Sequence, residues 1–108
     1  MISSNVLMRV MSSHRRDRIE AAVRHLAPRI PPHECAAVID HALDSTGLRQ
    51  AAPESAAWLS LVAYARHVFT DYDDLLASGY DVESARHFVR PKIEAVLAGW
   101  GVRRRLDT

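Results

Sequence analysis

The chain has 108 residues, 48% hydrophobic and 25% charged, with a net charge of +1. That composition suits one soluble domain with one core. No apolar run approaches bilayer length, and Cys35 is the only cysteine, so a membrane span and an internal disulfide are both excluded.

Met1 to Ser13 mixes Ser, Asn and scattered apolar residues without a sustained period. Residues 1–12 are expected to form a flexible tail, and no leader peptide is expected there. With the lone cysteine, that fits a reducing cytoplasm. Ser12 or Ser13 can cap a first helix, which Pro28 stops. Its buried stripe is Ile19, Ala22, Val23 and Leu26. Arg16, Glu20 and Arg24 stand at steps of four on the other side and suit a self-paired solvated face. The competing reading of that face is phosphate binding by Arg15, Arg16, Arg18 and Arg24.

Pro31-Pro32 opens a second helix, with Glu34 in its first turn, where the helix dipole favours an acid. Cys35, Val38, Ile39 and Ala42 form its stripe. Gly47 is expected to end it, with Leu48 folding back on Leu43. His33, Cys35 and His41 lack the paired short spacing of a zinc site, and Cys35 reads as a small core residue. No metal or cofactor is expected.

After a linker at 48–52, Pro53 takes the first position of a third helix. Trp58, Leu61, Val62, Ala65, Val68, Phe69, Tyr72, Leu75 and Leu76 recur at steps of three and four, which predicts one continuous helix to about Ser78. A competing local signal is Thr70-x-x-Asp73, which resembles a capping box and would end one helix near Phe69. Gly79 terminates the segment, and Asp81 caps a fourth helix with Glu83 in its first turn. Val82, Ala85, Phe88, Val89, Ile93, Val96, Leu97 and Trp100 hold one phase across Pro91, which predicts a kink rather than a stop. Gly99 and Gly101 close the helix. Residues 13–101 thus form one all-α domain, a compact bundle of about four helices, and 102–108 form a basic tail. The turn at Gly79 makes the last two helices an antiparallel hairpin. Asp73 and Arg86 lie at similar distances from that turn and are expected to pair.

Arg66-His67-x-x-Thr70-x-Tyr72-Asp73-x-Leu75-Leu76, followed by Ala85-Arg86, Val89 and Trp100, resembles an uncharacterised bacterial domain family marked by Arg-His-x-x-Thr-x-Tyr-Asp (domain of unknown function 2293). The resemblance covers roughly the last half of the chain. It directs attention to Arg66, His67, Thr70, Tyr72, Asp73 and Arg86, and it implies no particular activity.

The polar cluster reads either as a lock that fixes helix packing or as a site. His67 with Asp71 or Asp74 could orient a base, and Tyr72 could serve as an acid. No nucleophile beside a base and no Gly-rich phosphate loop accompanies them, so a binding module is favoured over an enzyme. Charge is uneven: residues 1–31 carry +4, 32–89 carry −6 and 90–108 carry +3. A basic first helix and the Arg103, Arg104 and Arg105 tail suit nucleic-acid backbone. The alternative is a protein-interaction or homodimerisation domain, in which acidic middle meets basic end.

Overall fold

The computed structural model describes residues 4–106, with side chains from His14 onward. Five α-helices follow in order: α1 Ser4–Leu26, α2 Pro32–Asp44, α3 Pro53–Phe69, α4 Tyr72–Ala77 and α5 Val82–Gly99. A single 3-10 turn, Thr46–Leu48, separates α2 from α3. Every regular element among the described residues is helical. The all-α bundle expected from the periodicity is therefore the fold, with one more helix than expected.

The core is organised by α3. It buries Ala56, Ala57, Trp58, Ser60, Leu61, Val62 and Ala65, which reach well over half way round the helix. A helix buried over most of its circumference belongs in the middle of a bundle. Four of those seven side chains are Ala or Ser, so neighbouring backbones can come close. α1, α2 and α5 all pack on it. α1 contributes Ile19 and Val23, α2 contributes Cys35, Val38, Ile39 and Ala42, and α5 contributes Ala85, Val89, Ile93 and Leu97. The stripe read for α2 is the buried face. Cys35 is 1% exposed, and burial pushes its thiol pKa up, as suits an inert core residue.

Three helix ends differ from expectation. α1 begins at Ser4, so Ser12 and Ser13 lie within it rather than capping it. Of the tail expected over 1–12, residues 1–3 and the side chains of 4–12 lie outside the described residues. α2 ends at Asp44 rather than at Gly47. Ser45 turns extended (φ −73°, ψ 117°), and Gly47 belongs to the 3-10 turn without a positive φ. The chain leaves the helix before Gly47 can supply a left-handed cap.

The third correction matters most for the site. The helix expected to run from Pro53 to Ser78 breaks after Phe69. Thr70 is extended at φ −132°, ψ 170°, and α4 starts at Tyr72. Thr70 Oγ1 donates back to the Arg66 carbonyl and accepts the Tyr72 N–H at 3.2 Å. The hydroxyl thus replaces main-chain partners at the break, a local competition that Ser and Thr carry out well. The apolar phase survives because Phe69, Tyr72, Leu75 and Leu76 all still turn inward. Periodicity alone therefore could not reveal the interruption.

α4 ends as expected. Gly79 takes φ +98°, its N–H donates to Leu76 O at 3.1 Å, and the Tyr80 N–H reaches Leu75 O at 3.1 Å. These are the paired bonds of a Schellman cap. Asp81 then caps α5, accepting the Ser84 N–H at 2.7 Å, a bond that holds its carboxyl pKa below the ordinary value. α5 continues through Pro91 to Gly99. Gly101, at φ +87°, repeats the Schellman pattern, and the Val102 N–H returns to Leu97 O at 3.0 Å.

Beyond that cap the chain folds back. Val102 packs on the core and Leu106 is buried in it. Arg90 Nη2 donates to Leu106 O at 2.6 Å. Residues 102–106 of the expected basic tail are therefore docked. A main-chain bond from Arg29 N–H to Trp100 O, 2.9 Å, ties the end of α1 to the end of α5. No helix is long and apolar enough to cross a membrane among the described residues.

Candidate functional site

The motif residues gather around the Thr70 break. His67 Nδ1 lies 2.8 Å from Asp73 Oδ1, and the His67 ring meets Tyr72 edge-on at 5.5 Å between centroids. Arg66 places its guanidinium 5.4 Å from the Tyr72 ring centroid. Tyr72 is 5% exposed and anchors the group to the core. Five of the six residues, Arg66, His67, Thr70, Tyr72 and Asp73, form one connected knot across the α3–α4 junction.

Arg86 does not join it through Asp73. The expected Asp73–Arg86 pair is absent, because ending α3 at Phe69 aims Asp73 back at His67. His67 likewise takes Asp73 rather than Asp71 or Asp74. Arg86 makes no ion pair or hydrogen bond among the described residues and instead stands near Arg66. Burial, and then the positive charge of Arg86, lower the Arg66 pKa. Arg66 Nε is buried without a hydrogen-bond partner.

Those two arginines share a cleft of about 920 Å³ between α3 and α5. Val62, Ile93 and Leu106 contribute apolar wall, and Tyr80, Val82 and Phe88 contribute exposed apolar surface. Tyr80 is 52% exposed. Arg90 also lines the cleft, but Glu94 at 2.8 Å and the Leu106 carbonyl engage it.

The basic ends divide. Arg15 donates to the Leu48 carbonyl at 3.0 Å, Arg16 pairs with Asp40 at 3.2 Å, and Arg24 pairs with Glu20 at 3.0 Å. Three of the four candidate phosphate ligands of α1 therefore have partners within the fold. Arg18 is exposed and makes no ion pair among the described residues. Arg104 packs its guanidinium 4.5 Å from the centroid of the Trp58 ring, and Arg105 shares a shallow groove with Arg90 and Glu94. Arg103 and Arg104 meet His25 and Arg29 across a second cleft of about 430 Å³, floored by Pro28 and Gly101. Among the described residues that line it, none is acidic. His25 and Arg29 escaped the sequence reading. The signal available was the Pro28 stop, which leaves Arg29 just past a helix end, but nothing in the sequence says that Trp100 lies opposite.

Tyr64 sits among Phe69 and Trp100, with ring centroids 6.1 and 6.3 Å away. Burial, and the Glu34 carboxylate facing it, push its hydroxyl up to about 12. Glu34 itself is met by His33 Nε2 at 3.0 Å.

The chain belongs to the family described as "Uncharacterized conserved protein (DUF2293)", whose model matches residues 22–101. The match takes in everything from the last residues of α1 to the Gly101 cap, including the Thr70 knot and every residue lining the α3–α5 cleft except Leu106. No curated protein shows significant similarity to the chain, and no solved structure does either.

Proposed function

We propose that the protein is a small helical binding module that engages nucleic-acid backbone through the cleft where its two basic ends meet. The observation that supports this reading is the convergence of His25, Arg29, Arg103 and Arg104 around Pro28 and Gly101 with no acidic residue in the lining. Phosphate contacts need donors and positive charge presented together, and two ends far apart in sequence supply them here. Arg18 extends the footprint. It stands seven residues before His25, hence on the same face of α1, two turns away. Sequence preference should be weak, because no recognition helix presents base-reading side chains.

Binding of duplex or single-stranded probes should fall steeply with salt. Arg18→Gln and Arg103→Gln change exposed residues that hold no other partner, so the fold should be untouched. Each substitution that removes a phosphate contact should flatten the log–log salt slope by about 0.9 on duplex DNA and about 0.7 on single strands. No binding at low salt, or slopes identical to the parent, would remove this reading.

A second reading, self-association or docking of another protein, draws on Phe88, 69% exposed, beside Tyr80 and Val82. Light scattering at two salt concentrations separates the two, and Phe88→Ser should leave a self-associating chain monomeric.

A further inference from the structure

We infer that the cleft between α3 and α5 binds an organic oxyanion, a phosphate or carboxylate carried on an apolar body, with Arg66 and Arg86 clasping the charged head. Both guanidiniums line that cleft, which also holds one acid, Glu83, and neither has an ion-pair partner among the described residues. The expected counter-ion, Asp73, is held 2.8 Å from His67 on the other side of the α3–α4 junction. Arg66 Nε is removed from water with no acceptor to replace it. The charge of Arg86 acting on Arg66 and a desolvated, unmatched donor both cost free energy in the protein by itself. An oxyanion between the two residues removes both costs at once. The guanidinium fork also suits the paired oxygens of a carboxylate or phosphate.

The walls define the rest of the ligand. Val62, Ile93 and Leu106 face the cleft beside the two arginines, with Val82 and Phe88 at its exposed side. A volume of about 920 Å³ is far more than a bare anion needs and lies in the range of small-molecule pockets. Apolar wall next to paired arginines selects an amphipathic anion over inorganic phosphate. The cleft is separate from the one lined by His25, Arg29 and Arg103, so this inference stands or falls independently of nucleic-acid binding.

Calorimetric titration of the full chain with octyl phosphate, octanoate, octanol and inorganic phosphate tests it. Octyl phosphate or octanoate should bind at least tenfold more tightly than octanol and than inorganic phosphate. Arg86→Gln should weaken that binding by about tenfold or more, the effect of losing a hydrogen bond to a charged group. Arg86 is exposed and unpartnered, so this variant should keep the parent melting temperature. Arg66→Lys, which keeps the charge but loses the fork, should weaken binding several-fold. The inference is overturned if neither anion binds at millimolar concentration, if octanol or inorganic phosphate binds as well as the anions, or if Arg86→Gln leaves the affinity unchanged.

Discussion

His67 and Asp73 carry a short contact at the α3–α4 junction, yet their side chains are 47% and 61% exposed. Exposed pairs contribute little, so His67→Ala and Asp73→Ala should each cost no more than about 1 kcal/mol in chemical denaturation. A double-mutant cycle should show coupling between His67 and Asp73 and strict additivity between Asp73 and Arg86. The family motif made these residues visible in the sequence, but their pairing was not. Counting residues from the Gly79 turn assumed an unbroken helix, and the Thr70 hydroxyl had already diverted the backbone. Ser60 is a second residue whose role emerges only in three dimensions. It is fully buried, and its hydroxyl has no partner among the described residues. Ser60→Ala should therefore leave stability unchanged or raise it by up to about 1 kcal/mol, since alanine buries no polar group and favours the helix. Tyr64 gives the protein an alkaline limit. Its hydroxyl is raised in the fold from the ordinary 10.0 to about 12, so the folded state prefers the neutral phenol. The associated stability is complete below pH 10.0 and is lost as pH rises toward about 12. Melting temperature should fall across that window, and Tyr64→Phe should make the fall shallower.

At the scale of elements, terminators rather than propensities shape the molecule. α2, α3 and α5 begin where Pro32, Pro53 and Asp81 say they should, because those signals are local and have no strong competitor. Gly79 and Gly101 both adopt positive φ, but their surroundings differ. A Cβ on Gly79 would meet nothing within 4 Å, whereas one on Gly101 would come within 3.0 Å of Pro28 Cγ. Gly79→Ala should cost about 1 kcal/mol from backbone strain alone. Gly101→Ala should cost clearly more, because the added methyl presses on Pro28 in the α1–α2 loop, which is bonded to the end of α5. Equal losses in urea denaturation would mean that the Pro28–Gly101 approach does not constrain the fold. Gly47 was misread at this scale: a glycine permits a left-handed cap, but Ser45 had already turned the chain out of α2. The break at Thr70 was legible only as the weaker of two signals. Its hydroxyl acts on the Arg66 carbonyl and the Tyr72 N–H, not on the Asp73 partner that a capping box implies.

Across the whole molecule, tertiary structure redistributes the charge asymmetry seen along the chain. Of the basic first helix, Arg15, Arg16 and Arg24 are engaged inside the fold. What remains is smaller and more focused: Arg103 past the end of α5 and His25, with Arg29, whose guanidinium donates to the Ala98 carbonyl at 3.3 Å, and Arg104, stacked on Trp58, lining the same cleft. Composition showed that both ends were basic. It could not show that the Arg29–Trp100 bond brings them together, or that two arginines inside the acidic middle, Arg66 and Arg86, face a cleft of their own. Backbone amide shifts recorded while a short DNA duplex is titrated at low salt test the central claim most directly, because they report location as well as binding. The amides of His25 to Arg29 and of Gly101 to Arg104 should move first and together, with Arg18 following, while those around Arg66 and Arg86 stay in place. Amides that do not move at all, or that move only around the α3–α5 cleft, would contradict the claim that the joined basic ends bind nucleic acid.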